Sequence, residues 1–159
     1  MPARSTLGGI TSLAEAFRGM HSRRVQVSRL ATTFRKERTL DFLSNLKAAE
    51  MLGLLERTNQ YVSLTDLGIG FLLASEGKMR IIRSRLAGIE PFESVLEMLS
   101  NRKQIFVSDI IASLRAKYPT LKFLPRVSEE EEIRNMLIEW GTCSQLIVYD
   151  GKMHCFHLT

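Results

Sequence analysis

Residues 54–72, LLERTNQYVSLTDLGIGFL, constrain the fold most, because two short strand-forming runs flank a polar turn and an amphipathic helix begins at once. A turn around Thr58 and Asn59, with Thr65 placed to cap a helix from Asp66, makes a two-stranded ribbon too small to stand alone. It must lie against helices, and the preceding residues supply them. In TLDFLSNLKAAEMLGLLE (39–56) the 3.6-residue period gathers Phe42, Leu43, Leu46, Ala49 and Gly53 on one side. Asp41, Ser44, Asn45, Lys47, Ala48 and Met51 fall on the other. Further upstream, LGGITSLAEAF reads as a helix and RRVQV as a short strand. SRLATTF reads as a helix capped by Ser28, with Leu30, Ala31 and Phe34 on one face. Helix, strand, helix, helix, ribbon, helix is the plan of a winged helix, a variant of the helix-turn-helix.

The second half repeats that order. PFESVLEML gives a helix, IFV a short strand, and SDIIASLRAKY a helix capped by Ser108 with Ile110, Ile111 and Leu114 inward. SEEEEIRNMLIEW has a capping box between Ser128 and Glu131, and its Ile133, Met136, Leu137 and Trp140 recur at helical spacing. QLIVYDGKMHCFHL closes the unit, with Asp150 and Gly151 the favoured pair for a tight hairpin. Gly88 can end one helix and Pro91 can begin the next, which sets the expected boundary between an N-terminal unit at 1–88 and a C-terminal unit at 89–159. The expected class is mainly α with small β ribbons, in tandem winged-helix units.

The charge is uneven. Residues 1–85 carry 14 Lys and Arg against 7 Asp and Glu, whereas residues 86–159 carry 8 against 10. The first unit is therefore the one suited to an acidic or polyanionic partner. No apolar run approaches the roughly 20 residues that span a bilayer, the N-terminus lacks a secretory apolar block, and two cysteines are too few for a disulfide scaffold. A cytoplasmic protein without membrane insertion is the expectation.

At residues 140–150, WGTCSQLIVYD, the chain resembles the W-G-R-Y-A-E-L-F-x-Y-D ending of the AAA-associated C-terminal domain found on ATP-binding subunits of nitrate/sulfonate/bicarbonate-type ABC transporters. Trp140, Gly141, Leu146, Tyr149 and Asp150 match, while Thr142, Cys143, Ser144 and Gln145 depart. LKAAEMLGLLE and VSLTDLGIGFL are similar to the family's segments around its first ribbon. The resemblance implies a tandem winged-helix module with no chemistry of its own, free-standing from the ATPase to which such modules are fused. Read without the family, Trp140 buries its ring against the hairpin, Gly141 eases the helix exit, and Tyr149 with Asp150 begins the turn.

Catalytic signatures are absent from the sequence. Gly68 and Gly70 are followed by Leu73 where a dinucleotide fingerprint needs a third glycine, and there is no phosphate-loop or nucleophile-elbow motif. His21, His154 and His157 have no nucleophile at a recognisable spacing. In HCFH, a strand would point His154 to one face and Cys155 and His157 to the other, so neither a metal nor another cofactor is expected. Glu129 to Glu132 suit a solvated helix start, where acids oppose the positive end of the dipole.

The expected role is thus non-enzymatic, as a regulator binding duplex DNA through the first unit. Arg23, Arg24, Arg35, Lys36, Arg38, Lys47 and Arg57 would meet phosphates, and Ser44, Asn45, Asn59 and Gln60 would contact sugar or base edges. The alternative is a protein-interaction module in which Ala48 and Met51 supply contact area to an ABC-type ATPase, to another protein or to a second copy in a homodimer.

Overall fold

The computed structural model describes residues 1–2, 4–35, 38–119 and 129–159. Contacts divide the chain into two compact units, Met1–Ile81 and Ile82–Thr159. Each is a winged helix, and the class is mainly α with two small antiparallel sheets.

In the first unit, α1 (Leu7–Gly19) starts at Thr6, whose hydroxyl accepts the Gly9 amide at 3.0 Å. Next come β1 (Arg24–Gln26), α2 (Val27–Thr33), α3 (Thr39–Met51), β2 (Leu55–Thr58), β3 (Tyr61–Leu64), α4 (Asp66–Leu73) and the start of α5 (Lys78–Leu86). The sheet order β1-β3-β2 puts β3 in the centre, with Val25 opposite Val62 and Thr58 opposite Tyr61. The first ribbon therefore turns over two residues, Asn59 and Gln60, and Asn59 takes a left-handed φ of 56°. Ile10, Leu13 and Phe17 of α1, Leu30 of α2, Leu46 and Ala49 of α3, Val62 of β3 and Phe71 of α4 form the core. Thr65 caps α4 as its sequence position predicts, accepting the Gly68 amide at 3.0 Å.

Ser28 is not a cap. Strand β1 runs directly into α2 with Gln26 at the cap position, so Ser28 stands inside the first turn. The Val27 amide that would need a cap donates instead to the Gln60 carbonyl at 2.9 Å.

The second unit follows the same order: α6 (Phe92–Asn101), β4 (Ile105–Phe106), α7 (Val107–Lys117), α8 (Glu129–Met136), a π-helical segment Leu137–Thr142, β5 (Ile147–Asp150) and β6 (Cys155–Leu158). Its sheet order is β4-β6-β5. Phe92, Val95, Ile110, Ile133, Leu137, Trp140, Ile147 and Phe156 are buried together. Here too the serine cap is displaced: α7 starts after Phe106, and the Asp109 carboxylate accepts the Phe106 amide at 3.1 Å. Ser128, the other expected cap, lies outside the described residues.

Asp150 and Gly151 do not form a tight turn. Asp150 pairs with Cys155, which leaves a four-residue loop. The Asp150 Oδ1 accepts the Lys152 and Met153 amides at 2.8 and 3.0 Å, and these bonds hold its carboxyl below the ordinary value.

A shared helix exit precedes both ribbons. After α3, the Gly53 amide donates to the Glu50 carbonyl and the Leu54 amide to the Ala49 carbonyl, both at 2.9 Å, with Gly53 at φ 72°. After the π segment, Gln145 donates to Thr142 and Leu146 to Gly141 at the same 2.9 Å, with Gln145 at φ 58°. The residue that exits left-handed is therefore Gln145, not Gly141. Gly141 is needed for space, since a Cβ there would lie 2.8 Å from Ile147 side-chain carbons and 3.3 Å from Phe92 Cε1.

Candidate docking face of the first unit

Helix α3 occupies the place of a groove-reading helix, and its faces differ from those its periodicity predicts. Asn45 is 5% exposed and Ala48 fully buried, whereas Leu43 is 43% exposed. Asn45 turns inward because its Oδ1 accepts the Thr6 amide at 2.9 Å, and Gly9 of α1 leaves it room: a Cβ on Gly9 would overlap the Asn45 amide. A hydrophobicity pattern scores such an asparagine as outward, which rotates the whole helix. Asn45 can therefore reach no base edge, and Ala48 offers no contact area. Gly53 sits in the exit turn rather than on the packed face.

The outward side of α3 is carried by Leu40, Leu43, Lys47 and Met51, with Ser44 half-buried beside them. Leu40 is 59% and Met51 37% exposed. Intervals of three, four and four residues align these side chains along one line. The charged residues near this line are largely occupied. Glu50 lies 2.9 Å from Arg57 Nε and 3.8 Å from Lys47 Nζ, and Asp41 lies 3.7 Å from Arg4.

The other expected contact residues spread over distinct parts of the unit. Arg57 shares the inward sheet face with Val25 and Val62, which is why it reaches α3. Arg24, Gln26 and Tyr61 share the opposite face. There the Arg24 guanidinium lies 4.5 Å from the Tyr61 ring centroid and the Gln26 amide donates to the Tyr61 hydroxyl at 3.4 Å. Asn59 and Gln60 are exposed at the ribbon tip, and Arg23 leads into β1. Arg35 and Arg38 precede α3, exposed, with no ion pair among the described residues. Lys36 lies outside the described residues.

The sequence of this chain matches the pattern of the C-terminal AAA-associated domain family over residues 28–150. The chain belongs to the C-terminal AAA-associated domain family. The matched region runs from α2 to the end of β5, so it takes in both third helices and both exit turns. No curated protein and no solved structure matches the chain.

Within this AAA-associated domain, the closing motif maps onto the second exit turn. Trp140 is buried and Ser144 is buried, its hydroxyl donating to the Gly141 carbonyl at 3.1 Å. Arg83, in the part of α5 that belongs to the second unit, donates to the Ser144 carbonyl at 3.0 Å and to Gln145 Oε1 at 2.9 Å. Cys143 is exposed, and partial desolvation, with the Glu139 charge second, pushes its thiol up. His154 stands in the hairpin loop rather than on a strand, its Nδ1 3.1 Å from the Tyr149 hydroxyl. Glu129 is not simply solvated, since Arg115 pairs with it. Among the described residues no group of His, Cys, Asp or Glu is arranged to hold a metal, and no helix is long and apolar enough to cross a membrane.

Proposed function

We propose that the chain is a non-catalytic protein-docking module that associates with an ABC-type ATPase through the outward face of α3. The observation that supports this most is the composition of that face: Leu40, Leu43 and Met51 are exposed, and its one cation, Lys47, is shared with Glu50. A groove-reading helix needs hydrogen-bonding side chains directed at base edges, and the one amide α3 carries, Asn45, is inside. Exposed apolar side chains on a helix instead favour a protein surface. Membership of the AAA-associated family supports an ATPase as that surface.

Nucleic-acid binding is the second reading, supported by Arg23, Arg24, Arg35 and Arg38, which are exposed around the first unit. One pair of measurements separates the two. Co-purification should recover a partner identified as an ATP-binding transporter subunit, and Leu43→Glu or Met51→Glu should abolish the association. Retention on duplex DNA that falls steeply with salt and weakens on Arg35→Ala with Arg38→Ala, but is unaffected by Leu43→Glu, would overturn the docking reading.

A further inference from the structure

We infer that the segment seated on α3 is an amphipathic helix of the partner, carrying carboxylates beside its apolar stripe; this rests on the docking reading above. The exposed line Leu40, Leu43, Lys47, Met51 extends over three turns, about 16 Å at 1.5 Å per residue. From Asp41 onward it offers side chains rather than backbone groups, since the amides there are bonded within the helix and its last carbonyls meet the exit turn. An extended peptide laid on it would leave its own backbone polar groups unpaired, whereas a helix arrives with them satisfied. Intervals of three, four and four are also the spacing at which one helix receives the apolar seam of another.

The charge of the occupant follows from the rim. Arg35 and Arg38 stand at the amino end of α3, where the helix dipole is positive and cations are locally unfavourable. Among the described residues neither has an ion pair, and the acids of α3, Asp41 and Glu50, are committed to Arg4, Arg57 and Lys47; Glu37 lies outside the described residues. Carboxylates on the occupant would relieve both arginines. A second copy of this chain fits less well, because the acids of its α3, Asp41 and Glu50, are already paired and leave none to offer Arg35 and Arg38.

The test uses the full chain and two synthetic helical peptides of about 14 residues, enough to cover the stripe, with the same leucine seam and either glutamates or lysines flanking it. Fluorescence anisotropy should give at least about tenfold tighter binding of the glutamate peptide at low salt. Leu43→Glu should remove binding of both peptides, and Arg38→Glu should abolish or reverse the preference while far-UV circular dichroism stays unchanged. Equal binding of the two peptides, or binding indifferent to Leu43→Glu, overturns the inference. If an identified ATPase subunit still associates and is lost on Leu43→Glu while neither peptide binds, the helix assignment fails and the docking reading stands; if neither ATPase nor peptide binds, both fail.

Discussion

The two third helices of this molecule leave through the same turn but reach it with different residues. The first exits at Gly53, for which a left-handed backbone is free of steric cost; the second exits at Gln145, for which it costs about 1 kcal/mol or more. Five residues before the first turn's left-handed position stands small, fully buried Ala48; the second helix places Trp140 at the corresponding point and widens into π geometry. One unit is thus built on close backbone approach with little side chain, the other on a large ring and a clamp. The clamp is Arg83, which holds the Ser144 carbonyl and the Gln145 side chain and so offsets the strain of the exit. The same topology can be locked in two ways, and the unit locked by small residues is the one that leaves an apolar helix face exposed.

The largest test of this contrast is the pair Trp140→Ala and Ala48→Gly. Loss of the buried ring should cost about 3–5 kcal/mol, whereas the glycine should cost about 1 kcal/mol through backbone entropy. Denaturant unfolding followed by far-UV circular dichroism reads both, since Trp140 is the sole tryptophan. A larger loss at Ala48 would break the comparison.

Next in size, Gly141→Ala should cost about 1–3 kcal/mol by crowding Ile147 and Phe92. Gly53→Ala should cost about 1 kcal/mol, because its backbone is left-handed at φ 72°. Equal losses would show that Gly141 has more room than its surroundings indicate.

Smaller still, Gln145→Ala and Arg83→Ala should each cost about 0.5–1.5 kcal/mol, and the double variant little more than the worse single one, since they remove one hydrogen-bonded unit. Gln145→Gly should be milder than Gln145→Ala because it relieves the left-handed strain. Strictly additive losses in a double-mutant cycle would remove the clamp from the account.

The smallest effect is expected at Asp150. Its folded carboxyl titrates below the usual 3.8 because the Met153 and Lys152 amides bind the charged form. Its contribution is therefore present above the unfolded value and lost as pH falls through the folded one. Thermal midpoints taken from pH 5 down to pH 2 should fall less steeply for Asp150→Asn than for the parent, and identical slopes would assign the loop's hold to something else. Gly53 in the first unit has no such dependence, which sharpens the contrast.

Much of the fold was legible because its strongest signals are local. Thr65 before an apolar run, the ribbon around Asn59, and the buried Ile110, Ile111 and Leu114 all follow from propensity and period alone. The serine caps at Ser28 and Ser108 were not, because the first helical amide of α2 is satisfied by a residue 33 positions away in the ribbon, and α7 begins after Phe106, whose own amide is taken by an acid inside the helix. The candidate site was legible in place but not in facing. That Asn45 lies inside depends on Gly9 and Thr6 of another helix, and no pattern within residues 39–51 carries that information. The Arg57 to Glu50 pair was hidden for the same reason: it depends on which sheet face Arg57 takes, and register is fixed by the pairing with β3.

The bond from the Val27 amide to the Gln60 carbonyl ties the tip of the first ribbon to the opening residue of α2. A wing fastened in this way cannot swing while α2 stays still: any excursion of the tip has to release that amide to solvent first. Deuterium uptake at Val27 is thereby a direct clock for wing opening, and a partner that grips the ribbon would slow it without touching α2 at all.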